Sequence, residues 1–356
     1  MGKSLQELLA PRMFTGVYET VVKGVPKILP DQFYVNPSAR KVLGDQAQYF
    51  KVTGSRQSAN TSSYGGEPRA VQGEGLSKQS VVLLHAFEKY RHNVMALQGL
   101  INPQNEEQQR FYLGEIDRQS MNFAERFMSL RCGAVHSAIA NGKIWIGATG
   151  QLLTSSSGAM NTIDYSILEA TASASWATTT TDIVAHLEEK KREQLQRGRP
   201  PFRHAIFGKK VAGYILANAS AQGLIRSTPA LADAAYRNTS TIPSGFAGLN
   251  WIPADGAFHV SGSTVTEWFD SDKIIFLPEL SPTWYETMEG SYLVPTTGLN
   301  IGSDAAAHAN ASFDTVYGMF GWCARDDNQP SIVQYGGDTF LPVIRDGSAV
   351  LRFETT

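Results

Sequence analysis

The stretch Gln104–Ala140 reads QNEEQQRFYLGEIDRQSMNFAERFMSLRCGAVHSAIA, and the spacing of its apolar residues decides the fold class. Tyr112, Ile116, Phe123, Phe127, Leu130 and Ala134 recur at steps of three, four or seven, with Leu113, Ala124, Met128 and Ile139 beside that stripe. This is the period of a helix, whereas a half-buried strand alternates every second residue. One helix over the stretch would be about 55 Å long at 1.5 Å per residue. The mean helix has about 11 to 12 residues, so this one reads as a structural spine rather than an ordinary packing element. The signal follows Pro103 and stops at Asn141-Gly142. Gly114 and Gly133 each weaken a helix by about 1 kcal/mol relative to Ala, which allows a bend or an early end near Gly133. The aromatics Phe111, Tyr112, Phe123 and Phe127 fit the core of such a spine better than they fit a cofactor cavity.

On the N-terminal side, Pro11, Pro26, Pro30 and Pro37 are mixed with isolated apolar residues, among them Phe14, Val17, Tyr18, Ile28, Leu29 and Phe33. No long helix survives past Pro26 in that pattern, which reads as an extended arm. Its aromatics, Phe14 and Tyr18, are candidate docking contacts. Gln48–Thr53 (QYFKVT) is strand-like and runs into Gly54–Lys78, dominated by Gly, Ser, Gln, Asn and Thr. Strand-like residues before it and Val81–Leu84 after it predict a long two-stranded excursion rather than a linker between domains. A long loop in a compact protein usually has a function. Within it Tyr64 is the large aromatic, and Glu67 and Arg69, flanking Pro68, can pair with charges on a neighbour.

On the C-terminal side come the apolar run Ile144–Ile146 and a Ser/Thr/Gly-rich segment through Thr181. A second helix is predicted from Asp182, which has N-cap chemistry, to Gln196, ending at Gly198 before Pro200. Beyond it, short apolar runs alternate with turns: Ala205–Phe207, Val211–Leu216, Thr264–Trp268, Lys273–Leu277, Ile332–Tyr335 and Ala349–Phe353. The fold class is therefore α+β, with mostly short strands in the C-terminal half.

Composition narrows the function. With 356 residues the chain can bury a sizeable core without disulfides or metals. Cys132 and Cys323 form no CxxC or Cys/His cluster, so no zinc site and no disulfide framework are indicated. The formal net charge of −2 gives no electrostatic reason for tight nucleic-acid binding. Charged residues make up 18% of the chain, against roughly 25% in soluble domains, which favours a protein that covers its surface with neighbours. No window reads as a membrane span or a signal peptide, so a soluble, cytoplasmically made protein is expected. None of the seven histidines falls in an HExxH or near a Cys at ligand spacing, and neither GxSxG nor GxGxxG occurs after a strand. No catalytic residue, cofactor or metal site is predicted. Lys190, Lys191, Arg192, Arg197, Arg199, Arg203, Lys209 and Lys210 form a basic stretch against Glu188, Glu189 and Glu193. A solvated helix face beside a basic loop explains it better than a DNA-facing patch, and no aromatics interleave with it to read single strands.

The order of parts is an arm, an extended loop, a spine helix and a mixed domain that returns to finishing strands. Within it stand Trp176 followed by Asp182-Ile183, then Phe207-Gly208 with Ala212 and Leu216–Asn218, and finally Leu341-Pro342-Val343. This resembles the major capsid proteins of tailed phages, which share the Hong Kong 97-like shell fold, and more narrowly the lambda-like major capsid protein E family. The resemblance implies an N-terminal arm (1–44), an extended loop (45–84), a peripheral domain with the spine helix (85–175), an axial domain (176–320) and returning strands (321–356). It implies self-assembly as pentamers and hexamers into an icosahedral shell around a double-stranded DNA genome. Expected partners are other copies, scaffold, portal and decoration proteins and, weakly and non-specifically, packaged DNA, with no membrane. The expected place is the virion capsid, built in the bacterial host cytoplasm. Two alternatives remain open: the shell of a bacterial encapsulin-type compartment, and a monomeric mixed α/β enzyme. Phe14, Tyr18, Tyr64, Glu67 and Arg69 are the expected assembly contacts.

Overall fold

A computed structural model describes residues 27–53, 75–92, 106–148, 150–228, 230–231, 242–261, 263–295, 300–301, 313–326 and 331–356. Its longest helix, α1 (Glu106–Asn141), runs unbroken for 36 residues. Glu106 and Glu107 stand in its first turn, where the helix dipole favours negative charge. It stops at Gly142, whose φ of +63° is left-handed and free of penalty for glycine. The early end allowed at Gly133 is absent. A Cβ there would stand 2.9 Å from Leu152 Cδ2 and 3.0 Å from Trp268 Cζ2, so the glycine lets neighbours approach the helix and does not break it. Burial along α1 is graded. Tyr112 is only half-buried and Phe111 exposed, Phe123 and Phe127 are buried on one face, and every residue from Arg131 to Ala140 is buried. The single apolar stripe of the sequence describes the middle of a helix whose C-terminal third is enclosed on all sides.

Phe123 packs edge-on against Phe127 with centroids 5.3 Å apart, and against Tyr90 at 6.2 Å. Phe123→Ala should cost about 3–5 kcal/mol, the usual range for a buried ring. Urea denaturation reads this directly; a loss under ~1 kcal/mol would mean the ring does not meet a core in solution.

The strands gather around this helix. β1 (Arg40–Val42), β2 (Gln46–Thr53), β3 (Gly75–Val82) and β4 (Leu84–Arg91) precede it. β2 and β3 pair antiparallel from Gln46↔Val82 to Thr53↔Gly75, as the expected two-stranded excursion requires. After α1 come β5 (Lys143–Gly147), β6 (Leu152–Leu153), β7 (Ala159–Asp164) and β8 (Leu168–Thr171), then α2 (Ile183–Gln196). The chain continues through β9 (Phe202–Phe207), α3 (Lys209–Ala217), α4 (Ala219–Ser227), β10 (Asn250–Pro253), β11 (Phe258–Ser261), β12 (Thr264–Glu267) and β13 (Lys273–Pro278). It closes with β14 (Tyr285–Pro295), β15 (Asn300–Ile301), β16 (Phe313–Tyr317), β17 (Phe320–Asp326), β18 (Ser331–Ile344) and β19 (Leu351–Glu354).

Two sheets organise the chain. In the first, β18 pairs with β4 along one edge and with β17 and β14 along the other, while β1 and β16 add to β14. α1 lies against β18. The second has the order β10-β9-β13-β19-β8. Its middle strands are buried on both faces: Ile206, Ile275 and Leu277 join the core around α1, while Ala205, Phe207, Ile274 and Phe276 join a second core with α2, α3 and α4. That double burial explains the unbroken apolar run Ile274–Leu277, which carries no alternation.

Two of the apolar runs belong to larger elements. Val211–Leu216 lies inside helix α3, where Val211, Ala212 and Ile215 are buried at helical spacing. The strands of the C-terminal half are mostly short, as expected, with two exceptions. β14 has 11 residues and β18 has 14, so the expected run Ile332–Tyr335 is one end of the longest strand described.

Candidate assembly site

The residues that carry the family resemblance have local structural work. The Trp176 indole is buried beside Phe353 at 5.4 Å and donates to His186 Nδ1 at 3.2 Å. Asp182 caps α2 by accepting from the Ala185 N–H at 3.0 Å. Gly208 sits so close to the chain at Asp270 that a Cβ would fall 2.1 Å from the Asp270 carbonyl oxygen, a place no other residue could occupy. Asn218, fully buried, caps α4 through its Oδ1 and donates from Nδ2 to the carbonyls of Thr179 (3.1 Å) and Thr181 (2.7 Å). Leu341 and Val343 are buried in β18, and the Pro342 carbonyl accepts from the Tyr165 hydroxyl.

The strongest polar constellation was not signalled by the sequence. Arg131, in the buried third of α1, forms a fork to Asp338 with Nε at 2.6 Å from Oδ2 and Nη2 at 2.7 Å from Oδ1. Its Nη1 donates to Glu289 Oε1 at 3.1 Å and to the Tyr34 carbonyl at 3.2 Å. The guanidinium also lies 4.5 Å over the Phe340 ring. Burial opposes the charge on Arg131, yet the two carboxylates outweigh it and raise its affinity for the proton. One side chain thus joins α1, β14, β18 and the chain before β1. It is a fully occupied structural node, with no room for a substrate.

The histidines whose side chains are described are likewise taken up by neighbours, His186 by Trp176 as above. His85 contacts Thr339, His92 contacts Gln334, His136 contacts Tyr34 and His204 contacts Asn250. Among the described residues no group of three or more His, Cys, Asp or Glu is placed to hold a metal. A cleft of about 710 Å³ opens between α1, β4, β6 and β11, but Glu88 and Arg126 within it pair with each other at 3.1 Å. In the basic stretch, Lys190 and Arg197 pair with Glu193, Lys191 with Glu188, Lys209 with Glu267 and Lys210 with Asp272. Arg199 is buried against Asp346 at 2.7 Å. Intramolecular neutralisation leaves little of that stretch to attract phosphate.

Of the expected assembly contacts, Phe14, Tyr18, Tyr64, Glu67 and Arg69 all lie outside the described residues. Surface apolar groups that the sequence did not single out stand at the base of the β2–β3 ribbon: Leu43 is 80% exposed, and Phe50 and Val82 are each 48% exposed. The opposite face of the ribbon buries Ala47 and Tyr49 in the core, and the Val52 N–H donates to the Arg345 carbonyl at 2.8 Å. On the first sheet Phe87, Tyr292, Phe320, Trp322 and Tyr335 stack on one another across four strands, the tightest pair, Tyr292 and Phe320, at 4.2 Å. Because their faces are taken by each other, this cluster stiffens the sheet and is not arranged as a platform for bases. No helix among the described residues is long and apolar enough to cross a membrane.

Comparison with known proteins places this architecture. The family model described as phage major capsid protein E matches residues 17–289. No curated protein matches the chain. Among solved structures, one described as a capsid protein of a prophage in E. coli CFT073 is similar with a TM-score of 0.53 at 10% identity, covering 98% of this chain and 99% of that one. A virus-like particle from Pyrococcus furiosus gives 0.47 at 11% identity, covering 96% and 98%, and the bacteriophage PhiM1 mature capsid gives 0.47 at 9%, covering 88% and 84%. At such identities the first of these shows a common fold and nothing finer.

Proposed function

The chain belongs to the phage major capsid protein E family, a family of shell-forming structural proteins, and on that premise we propose how its parts build the shell. Pentamers and hexamers of this chain close into an icosahedral particle around a double-stranded DNA genome in the bacterial host cytoplasm. Residues 1–44 serve as the arm, 45–84 as the extended loop, 85–175 as the peripheral domain, 176–320 as the axial domain and 321–356 as its returning strands. Phe14 and Tyr18 on the arm and Tyr64, Glu67 and Arg69 on the loop contact neighbouring copies. Scaffold, portal and decoration proteins are the further partners, and DNA is touched weakly.

The observation that carries the reading is the family match over residues 17–289. It is joined by a ribbon that is anchored on one face and leaves Phe50 and Val82 uncovered on the other. The same match weighs against a compartment shell that encloses enzymes. A monomeric enzyme would need a cleft with convergent titratable groups, and the cleft beside α1 has its charges paired internally.

Purified protein, alone and with a co-expressed scaffold, should scatter light as closed particles far above the mass of the 38.8 kDa chain, visible as shells by electron microscopy. A stable monomer under every condition would end the shell reading.

A further inference from the structure

The chain between Lys27 and Val35 belongs to no sheet and is buried at both ends of an exposed turn, Pro30–Gln32. Ile28, Leu29, Phe33 and Tyr34 are all buried between α1 and the start of β14. Its backbone is held by side chains: the Tyr285 hydroxyl donates to the Phe33 carbonyl at 2.6 Å and Arg131 to the Tyr34 carbonyl. At its centre is a relay. The Leu29 N–H donates to the Tyr34 oxygen at 3.2 Å, and Tyr34 Oη lies 2.8 Å from His136 Nε2 on α1. The phenol can accept from the amide and donate its own hydrogen to Nε2 when Nε2 is unprotonated, as in the Nδ1–H tautomer of neutral histidine.

Among the described residues no carboxylate bonds this imidazole. Tyr34 meets it edge-on at 5.8 Å and Phe269 at 6.1 Å. The charged groups packed in this region are Arg131, five residues earlier on α1, its sheet partners Asp338 and Glu289, and the Lys27–Asp31 pair on the segment itself. Cys132, one turn before His136 on α1, and Tyr285, which interacts with Tyr34, are the other titratable groups of the region. An added proton would therefore sit in a buried site with no carboxylate bonded to it, and would turn the acceptor of the relay into a second donor.

We propose that residues 27–35 form a proton-sensitive clasp on α1: protonation of His136 releases this segment while the helix and the sheets stay folded. Segments tied by few bonds open locally at lower free energy than the body they cover. Burial pushes the His136 pKa down to about 3 from an ordinary 6.5. The sign follows: the open form, with hydrated His136, takes up the proton first, so opening grows as pH falls through 6.5 and levels off near the closed-state value. The clasp is a property of the single chain and does not depend on the shell reading.

Amide exchange of the full-length, unassembled chain tests it, with labelling times scaled for the intrinsic pH dependence of exchange. From pH ~6.5 to ~4.5, opening of peptides covering 28–35 should rise by about tenfold per pH unit while those covering 131–141 stay protected. His136→Gln, which can accept from Tyr34 but does not titrate, should abolish the slope. Tyr34→Phe, which leaves Nε2 unsatisfied, should raise opening roughly tenfold already at neutral pH and keep the slope. A flat wild-type profile, an equal slope in His136→Gln, or loss of protection in both peptides together would overturn the clasp. Should His136→Gln fail to fold, Tyr34→Phe decides: unchanged protection of 28–35 at neutral pH overturns it.

Discussion

Replacing Arg131 with Met is expected to cost about 3–5 kcal/mol of subunit stability, because it strands buried carboxylates rather than merely deleting a bond. Arg131 and Asp338 are both 2% exposed, and their fork is the reason Asp338 tolerates that burial. Methionine fills much of the volume of the arginine stem, so the loss reports charge and hydrogen bonding more than a cavity. Glu289 is less enclosed and can recover water, which makes Asp338 the main source of the penalty. The double variant Arg131→Met, Asp338→Leu removes the stranded charge and should regain a good part of the loss, since an apolar replacement of a whole buried pair is often neutral. Urea denaturation of the unassembled subunit measures all three. A single-variant loss below ~1 kcal/mol, or a double variant worse than the single, would mean that water reaches the node and that the pair is not what ties α1 to β18.

The contrast between α1 and this node marks what the sequence makes legible. A helix is written in steps of three and four, so a 36-residue element with a steady apolar stripe announces itself. The cap at Asp182 and the stop at Gly142 are local chemistry too, and both stand where their residue types predict. β18 is different. Its pattern is interrupted by Gly336-Gly337-Asp338, which reads as a turn, yet a Cβ at Gly337 would stand 2.5 Å from Phe320 Cζ and 2.7 Å from the Ala86 carbonyl. The glycine is there because two neighbouring strands press on it. Asp338 is polar in mid-strand because Arg131, 207 residues earlier, neutralises it. Neither cause lies within a window of sequence, so strand length and the buried node were both hidden. The run Val211–Leu216 leaves helix and strand undecided for a related reason: the nine residues of α3 are too few for a helical period to stand out within a short apolar run. The expected contacts of arm and loop rest on composition and family resemblance and lie outside the described residues.

Deleting Ser58–Gly66 should abolish particle formation while leaving the subunit as stable as before. Between Gly54 and Glu74 the sequence offers Tyr64 and Val71 as its large apolar residues, against an ordering cost of about 1–2 kcal/mol per residue. A composition of that kind offers little apolar burial against that cost, and repeated symmetric contacts with neighbouring copies are the source of burial that assembly would add. The base of the ribbon does not need the tip. β2 and β3 pair over eight residues each, Ala47 and Tyr49 are buried in the core, and the Val52 N–H is bonded to Arg345. The deleted subunit should therefore unfold within ~0.5 kcal/mol of the parent, as expected for a change away from the core. Light scattering of the same preparation should show no closed particles. In the parent protein, amides from Ser55 to Glu74 should exchange fast in the free subunit and be markedly protected after assembly, the signature of order acquired from a partner, while the β3 amides from Gly75 on are already paired with β2. Normal particles from the deletion, with equal exchange in both states, would reduce this segment to a tolerated surface loop and move the search for the assembly contacts to Leu43, Phe50 and Val82 at its base.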